Sequence, residues 1–256
     1  MNHPQHRTSE KLPVVIVGAG PVGLELAVAL QKSGQPVRLI EAGSVGHTMT
    51  WWAPQTRWFS SNERIAIAGV PLVTPDQTKA TREQYLAYLR AVATQFELPI
   101  QCRTRVSNVQ RIDDGLIVTC ESGGTTQSLA ARAVVLAIGG TDHPRKLGIE
   151  GEDLPHVDGY LREPHQYFGR RVMIIGGRNS AVEAALRIHH AGGKVALCYR
   201  RDELPNQSIK YWLRPEINGL IDSGRIDAFL GAQPIAITPT EVHLRKLNDG
   251  SEFSVA

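Results

Sequence analysis

Two glycine-rich turns of one chemical type constrain this 256-residue chain more than any other feature: Val17-Gly18-Ala19-Gly20-Pro21-Val22-Gly23 and Ile175-Gly176-Gly177-Arg178-Asn179-Ser180-Ala181. Each follows a short apolar, β-branched run and opens a helical pattern, the order of a βαβ unit. In the first turn the glycines stand as G-x-G-x-x-G, and each serves a steric purpose, namely a tight turn, backbone approach to a pyrophosphate, and close packing of helix on strand. Residues 13–17 read as a buried strand, residues 24–32 carry apolar side chains at helical spacing, and Gly34 stops the helix. A second strand over residues 37–40 ends in Glu41, where an acid accepts hydrogen bonds from a ribose 2′-hydroxyl. Gly18, Gly20, Pro21, Gly23 and Glu41 are therefore the expected contacts of a first dinucleotide.

The second unit repeats the plan with a different ending. Residues 171–175 predict a strand, residues 180–191 a helix stopped by Gly192-Gly193, and residues 194–199 the next strand. Where the first unit has an acid, this one has Arg200-Arg201. Guanidinium forks pair with phosphate rather than with a ribose diol, so the second site is expected to select NADPH over NADH. Gly176, Gly177, Asn179 and Ser180 complete its expected contacts, and Arg178 replaces the middle glycine.

Composition excludes several other classes. A net charge of +3 with scattered basic residues gives no stripe for nucleic acid, and no apolar run is long enough to cross a bilayer. The first twelve residues are polar and lack the apolar centre of a secretory signal, so cytoplasmic residence is the default. Cys102, Cys120 and Cys198 form no C-x-x-C and sit in β-like runs, which predicts core packing. His189 and His190 are adjacent on a helix, so no metal site is expected.

Between the units, Thr81 to Gln84 reads as a capping box, followed by Leu86, Leu89, Val92, Ala93 and Phe96 on one helical face. Residues 117–120 and 128–132 predict a hairpin turned at Gly123-Gly124. Residues 133–138 predict a buried parallel strand whose end, at Gly139-Gly140, lies against a cofactor. The first domain is then expected over residues 1–142, a crossover over 143–168 and the second domain over 169–256.

The order of the first glycine turn, Leu136-Ala137-Ile138-Gly139-Gly140, the stretch Pro144-Arg145-Lys146-Leu147-Gly148-Ile149-Glu150-Gly151-Glu152 and the G-G-x-N-S-A turn resembles the thioredoxin reductase superfamily of two-dinucleotide flavoproteins. Within it, the chain is most similar to bacillithiol disulfide reductase-like members through Trp58-Phe59-Ser60-Ser61-Asn62-Glu63-Arg64, Gly69-Val70-Pro71, Tyr199-Arg200-Arg201 and Ser208-Ile209-Lys210. The resemblance implies an α/β fold of two Rossmann-like domains with parallel sheets, each carrying a small antiparallel element. It also implies FAD in the first site, NADPH in the second and a homodimer. The implied activity passes hydride from NADPH through the flavin to a small acceptor such as a low-molecular-weight disulfide.

Three departures shape that expectation. The C-x-x-C pair of thioredoxin reductases is absent, and Val22 stands where bacillithiol-type members have a cysteine, which excludes a mixed disulfide there. Residues 241–247 and 251–256 read as a hairpin around Asn248-Asp249-Gly250, and the family chain continues from there back into the first domain. A chain ending at 256 would lack one wall of the FAD site. Residues 46–62, with Trp51, Trp52, Trp58 and Phe59, are the expected cover of the flavin ring, or alternatively core or lid packing. No residue is assigned a catalytic step, because the flavin carries the chemistry. A flavin monooxygenase is the alternative, although its F-x-G-x-x-x-H is not found, and a noncatalytic nucleotide-binding remnant is the third reading.

Overall fold

The computed structural model describes residues 11–141 and 144–256, and the chain divides into two compact units between residues 142 and 143. In the first unit, β1 (Val14–Val17) leads through the glycine turn into α1 (Pro21–Lys32) and back to β2 (Val37–Ile40). A short helix α2 (Asn62–Ile65) and the long α3 (Arg82–Gln95) precede β3 (Ile100–Gln101). An antiparallel sheet of β4 (Arg105–Ile112), β5 (Gly115–Ser122) and β6 (Thr125–Ala131) follows, and β7 (Ala133–Leu136) returns to the parallel sheet, ordered β3-β2-β1-β7.

The alternation of side chains along β1 explains the layering. Val14 and Ile16 face α1 and α3, packing with Leu24, Val28, Leu39, Leu89 and Val92. Val15 faces the other way, where Val118 and Cys120 of β5 and Ala131 close a second core. Helix α3 is fixed by the predicted capping box: Thr81 Oγ1 accepts from the Gln84 N–H, and Gln84 Oε1 accepts from the Thr81 N–H. Its buried face is centred on Tyr85, Tyr88, Leu89 and Val92, with Leu86, Ala93 and Phe96 at the margin.

The second unit is built on the same three-layer plan. β8 (Arg171–Ile175), α4 (Asn179–His190), β9 (Lys194–Tyr199), α5 (Arg214–Asp222) and β10 (Ile226–Leu230) form a parallel sheet, ordered β10-β9-β8, with both helices on one face. β11 (Ala232–Ile237), β12 (Val242–Lys246) and β13 (Glu252–Val255) form an antiparallel sheet against the other face, where Cys198, Ala232 and Leu244 are buried. Helices α1, α4 and α5 end alike. Gly34, Gly192 and Gly224 take positive φ, and the next residue's N–H reaches back to Leu30, Ile188 and Leu220 respectively.

Two expectations are corrected. The run 133–138 is not buried: β7 pairs only with β1, at the sheet edge, and leaves Leu136 65% and Ile138 63% exposed. Continuous apolarity alone does not say whether a strand has a neighbour on both sides. Cys102 is exposed and lies past the end of β3, whereas Cys120 and Cys198 are buried as expected. Among the described residues no helix is long and apolar enough to cross a membrane.

Candidate functional site

The first turn divides its three glycine roles among three positions. Gly18 has φ +108°, and a Cβ there would stand 2.4 Å from the Ala137 carbonyl oxygen. A Cβ on Gly23 would stand 2.0 Å from the Gly18 oxygen, so helix and turn could not close. A Cβ on Gly20 would meet nothing within 4 Å, which leaves open space over the turn for a pyrophosphate. Gly139, at the end of the neighbouring strand, has φ +76° and the same open space. Gly20 caps α1 without any side-chain acceptor, Pro21 begins the helix, and the first turn holds no acid. The leading amides therefore remain available to an anion.

Glu41 is buried at the end of β2 and braces this turn. Its Oε2 accepts from the Ala19 N–H at 2.8 Å and its Oε1 from the Gly43 N–H at 2.7 Å. Each carboxylate oxygen keeps a further lone pair, so bracing and ribose binding are compatible. The brace is absent from sequence reasoning, which assigns Glu41 only to ligand.

The second turn has the same frame with looser walls. Gly176 has φ +141°, and its N–H donates to the Cys198 carbonyl at 2.9 Å, as Gly18 does to Ile40 at 2.8 Å. Gly177 lies against the Tyr199 ring, which a Cβ would meet at 2.5 Å. Arg178 caps α4 with no side-chain hydrogen bond, and again the first helical turn holds no acid. By contrast, α3 is capped by Thr81, and α2, α3 and α5 each have an acid in the first turn. Arg178, Arg200 and Arg201 are all exposed. Asn179, expected only as a ligand contact, accepts at Oδ1 from the Lys210 backbone N–H at 2.8 Å.

The aromatic segment divides between two roles. Trp52 and Trp58 pack against the core of the first unit, with ring centroids 5.1 Å apart, and Trp58 meets Tyr85 edge-on at 4.6 Å. The Trp58 indole N–H is buried without a hydrogen-bond partner. Trp51 instead stacks edge-on against His47 at 5.6 Å. The thiols are not activated: burial pushes Cys198 up to about 11 and also raises Cys120, while burial and the charge of Glu41 raise Cys102.

Two βαβ units with uncapped, acid-free helix starts, the first with open space over Gly20, fit dinucleotide binding, and the similarities that follow set the class, that of FAD- and NADPH-dependent oxidoreductases. The chain belongs to the pyridine nucleotide-disulphide oxidoreductase family, whose model matches residues 15–255. It is 34% identical over 231 residues to the bacilliredoxin reductase Bdr of Bacillus subtilis, covering 90% of this chain and 70% of that protein. A ferredoxin–NADP reductase of Ignicoccus hospitalis is 27% identical, covering 82% of this chain and 64% of its own length. The bacillithiol disulfide reductase Bdr (YpdA) of Bacillus cereus superposes with a TM-score of 0.91 at 34% identity, over 96% of this chain and 75% of that one. A flavin-containing monooxygenase of Stenotrophomonas maltophilia shares the fold, with a TM-score of 0.74 at 22% identity, over 95% of this chain and 76% of that one. The sequence expectation of a thioredoxin reductase-like α/β flavoprotein, similar to bacillithiol disulfide reductases, is borne out.

Proposed function

We propose that this chain carries the dinucleotide sites of an NADPH-dependent flavoprotein reductase whose terminal acceptor is a small disulfide. Residues 1–142 form the FAD-binding unit and residues 169–256 the NADPH-binding unit, joined by the crossover 143–168. Gly18, Gly20, Pro21 and Gly23 hold the FAD pyrophosphate, Glu41 takes the ribose hydroxyls, and Gly139 leaves room beside them. Gly176, Gly177, Asn179 and Ser180 hold the NADPH pyrophosphate, and Arg200 and Arg201 take the 2′-phosphate. The observation that carries this reading is the shared character of α1 and α4, which alone among the described α-helices begin with neither a side-chain cap nor an acid.

FAD, when bound, supplies the hydride acceptor. The residues around it bind, orient and exclude water. Because Val22, in the first turn of α1, is 70% exposed and carries no thiol, a covalent adduct at that position plays no part. The disulfide class of acceptor is supported by the 34% identity to the bacilliredoxin and bacillithiol disulfide reductases.

The test is the visible absorption spectrum of the purified chain before and after anaerobic NADPH. Flavin bands that bleach on NADPH addition and recover with a low-molecular-weight disulfide are expected. A protein that neither retains nor takes up FAD would overturn the reading. NADPH oxidation that needs dioxygen and yields an oxygenated product would replace it with a monooxygenase.

A further inference from the structure

The loops that follow β8 and β9 leave the same carboxyl edge of the second parallel sheet, the edge at which open α/β sheets bind ligands. A hydrogen bond from the Lys210 N–H to Asn179 Oδ1 ties the two loops together. Asn179 is the first residue of α4, within the glycine turn itself. Lys210 lies in a short segment held firmly from below: Ile209 is buried in the core of the second unit, Leu213 packs on the same core, and the Leu213 N–H donates to the Lys210 carbonyl at 3.0 Å.

This anchored segment presents an aromatic pair to solvent. Tyr211 is 80% exposed and meets Trp212 edge-on, ring centroids 4.9 Å apart. A large ring held this open beside a ligand turn, on a backbone pinned from both sides, is unlike the frayed aromatic of a mobile loop, and such patches mark contact surfaces. Nothing in the packing of the unit requires Tyr211 to be aromatic.

We propose that Asn179 is a positioning residue which hooks the segment 208–212 over the second turn, so that Tyr211 and Trp212 form a wall against the nicotinamide dinucleotide. This rests on the reading of that turn as the NADPH site. The wall contacts parts of the dinucleotide common to NADPH and NADH, whereas Arg200 and Arg201 recognise the 2′-phosphate that only NADPH has. The hook therefore governs affinity for both dinucleotides, and the arginines govern the choice between them.

The experiment measures amide hydrogen exchange of residues 208–212 in the full chain, with and without NADPH, alongside dissociation constants for NADPH and NADH. In the wild type, NADPH slows exchange across this segment. Asn179→Ala speeds exchange at Lys210 and raises both dissociation constants by roughly five- to tenfold, the size of one lost neutral hydrogen bond. Asn179→Asp keeps the acceptor and restores the slow exchange at Lys210. Tyr211→Ala, at a solvent-exposed position, weakens both dinucleotides alike and keeps the proposal testable should Asn179→Ala not fold. Wild-type NADPH binding that leaves exchange over 208–212 unchanged, with Tyr211→Ala binding normally, would overturn the inference alone. Absence of NADPH binding to the wild type would overturn the site assignment and the inference with it.

Discussion

The two units solve one geometric problem with opposite local chemistry. In the first, the glycine turn is closed by backbone contacts with Ala137, and a buried acid bonds one of the turn's own amides, that of Ala19, and the amide of Gly43 in the loop after β2. In the second, an exposed arginine replaces the middle glycine, the nearby Arg200 and Arg201 are exposed, and the turn's asparagine bonds a neighbouring loop. A tight, internally braced turn suits a resident cofactor. A cationic, solvent-facing turn suits a dinucleotide that arrives, reacts and leaves, because exposed guanidinium groups attract a polyanion from solution and bind it without burying unpaired charge.

The largest expected effect separates the glycines of the first turn. Gly18→Ala and Gly23→Ala each force a Cβ against backbone oxygen, and Gly18→Ala also strains a positive φ, so in chemical denaturation Gly23→Ala should destabilise flavin-free protein by roughly 1–3 kcal/mol and Gly18→Ala, with both costs, by roughly 2–6 kcal/mol. Gly20→Ala should leave the stability of the flavin-free protein unchanged and still abolish flavin retention, because its Cβ enters only the ligand's space. If all three lost equal stability, the division between architecture and binding would collapse.

A smaller effect is expected in the second unit, and it concerns choice rather than folding. Arg200→Ala and Arg201→Ala should each raise the NADPH dissociation constant by about 10- to 100-fold in calorimetric titration, with little change for NADH. Equal weakening of both would remove the 2′-phosphate from the account and leave the arginines as a general anion funnel.

The smallest effect tests a carboxylate inside α4. Burial pushes the Glu183 carboxyl above its ordinary value, with the Arg187 charge pulling the other way. The folded protein therefore holds that proton more tightly than the unfolded chain. The stability this gives is complete at acid pH and is lost as pH rises from the ordinary carboxylate value through the folded one. Glu183→Gln should raise Tm near neutral pH and leave it unchanged at about pH 4. A difference that persisted in acid would place the effect in packing rather than in charge.

Much of this was legible in residue order. The two strand–turn–helix units, the capping box at Thr81, the Gly123-Gly124 hairpin and the closing hairpin all rest on contacts within a few residues, so their signals are local. The strand β4 escaped notice because its sequence, Arg105 to Ile112, is polar and mostly exposed. Helix α5 and strands β10 and β11 also escaped, although Leu213, Ile217, Leu220 and Ile221 stand at helical spacing before Gly224. The edge position of β7 could not be read from its composition, since the apolar run is the same whether one neighbour or two stand beside it.

The sequence by itself determined that two strand–glycine turn–helix units exist, where they lie and which charges follow them, because glycine placement and strand-end residues act through local backbone geometry. Only the tertiary structure decided that Glu41 braces its own turn across 22 residues, that Asn179 reaches Lys210 across 31, and that each parallel sheet is closed on its second face by an antiparallel one. Those outcomes depend on which segments the packed core brings together, and hydrogen-bond partners distant in the chain leave no periodicity in the residues that make them.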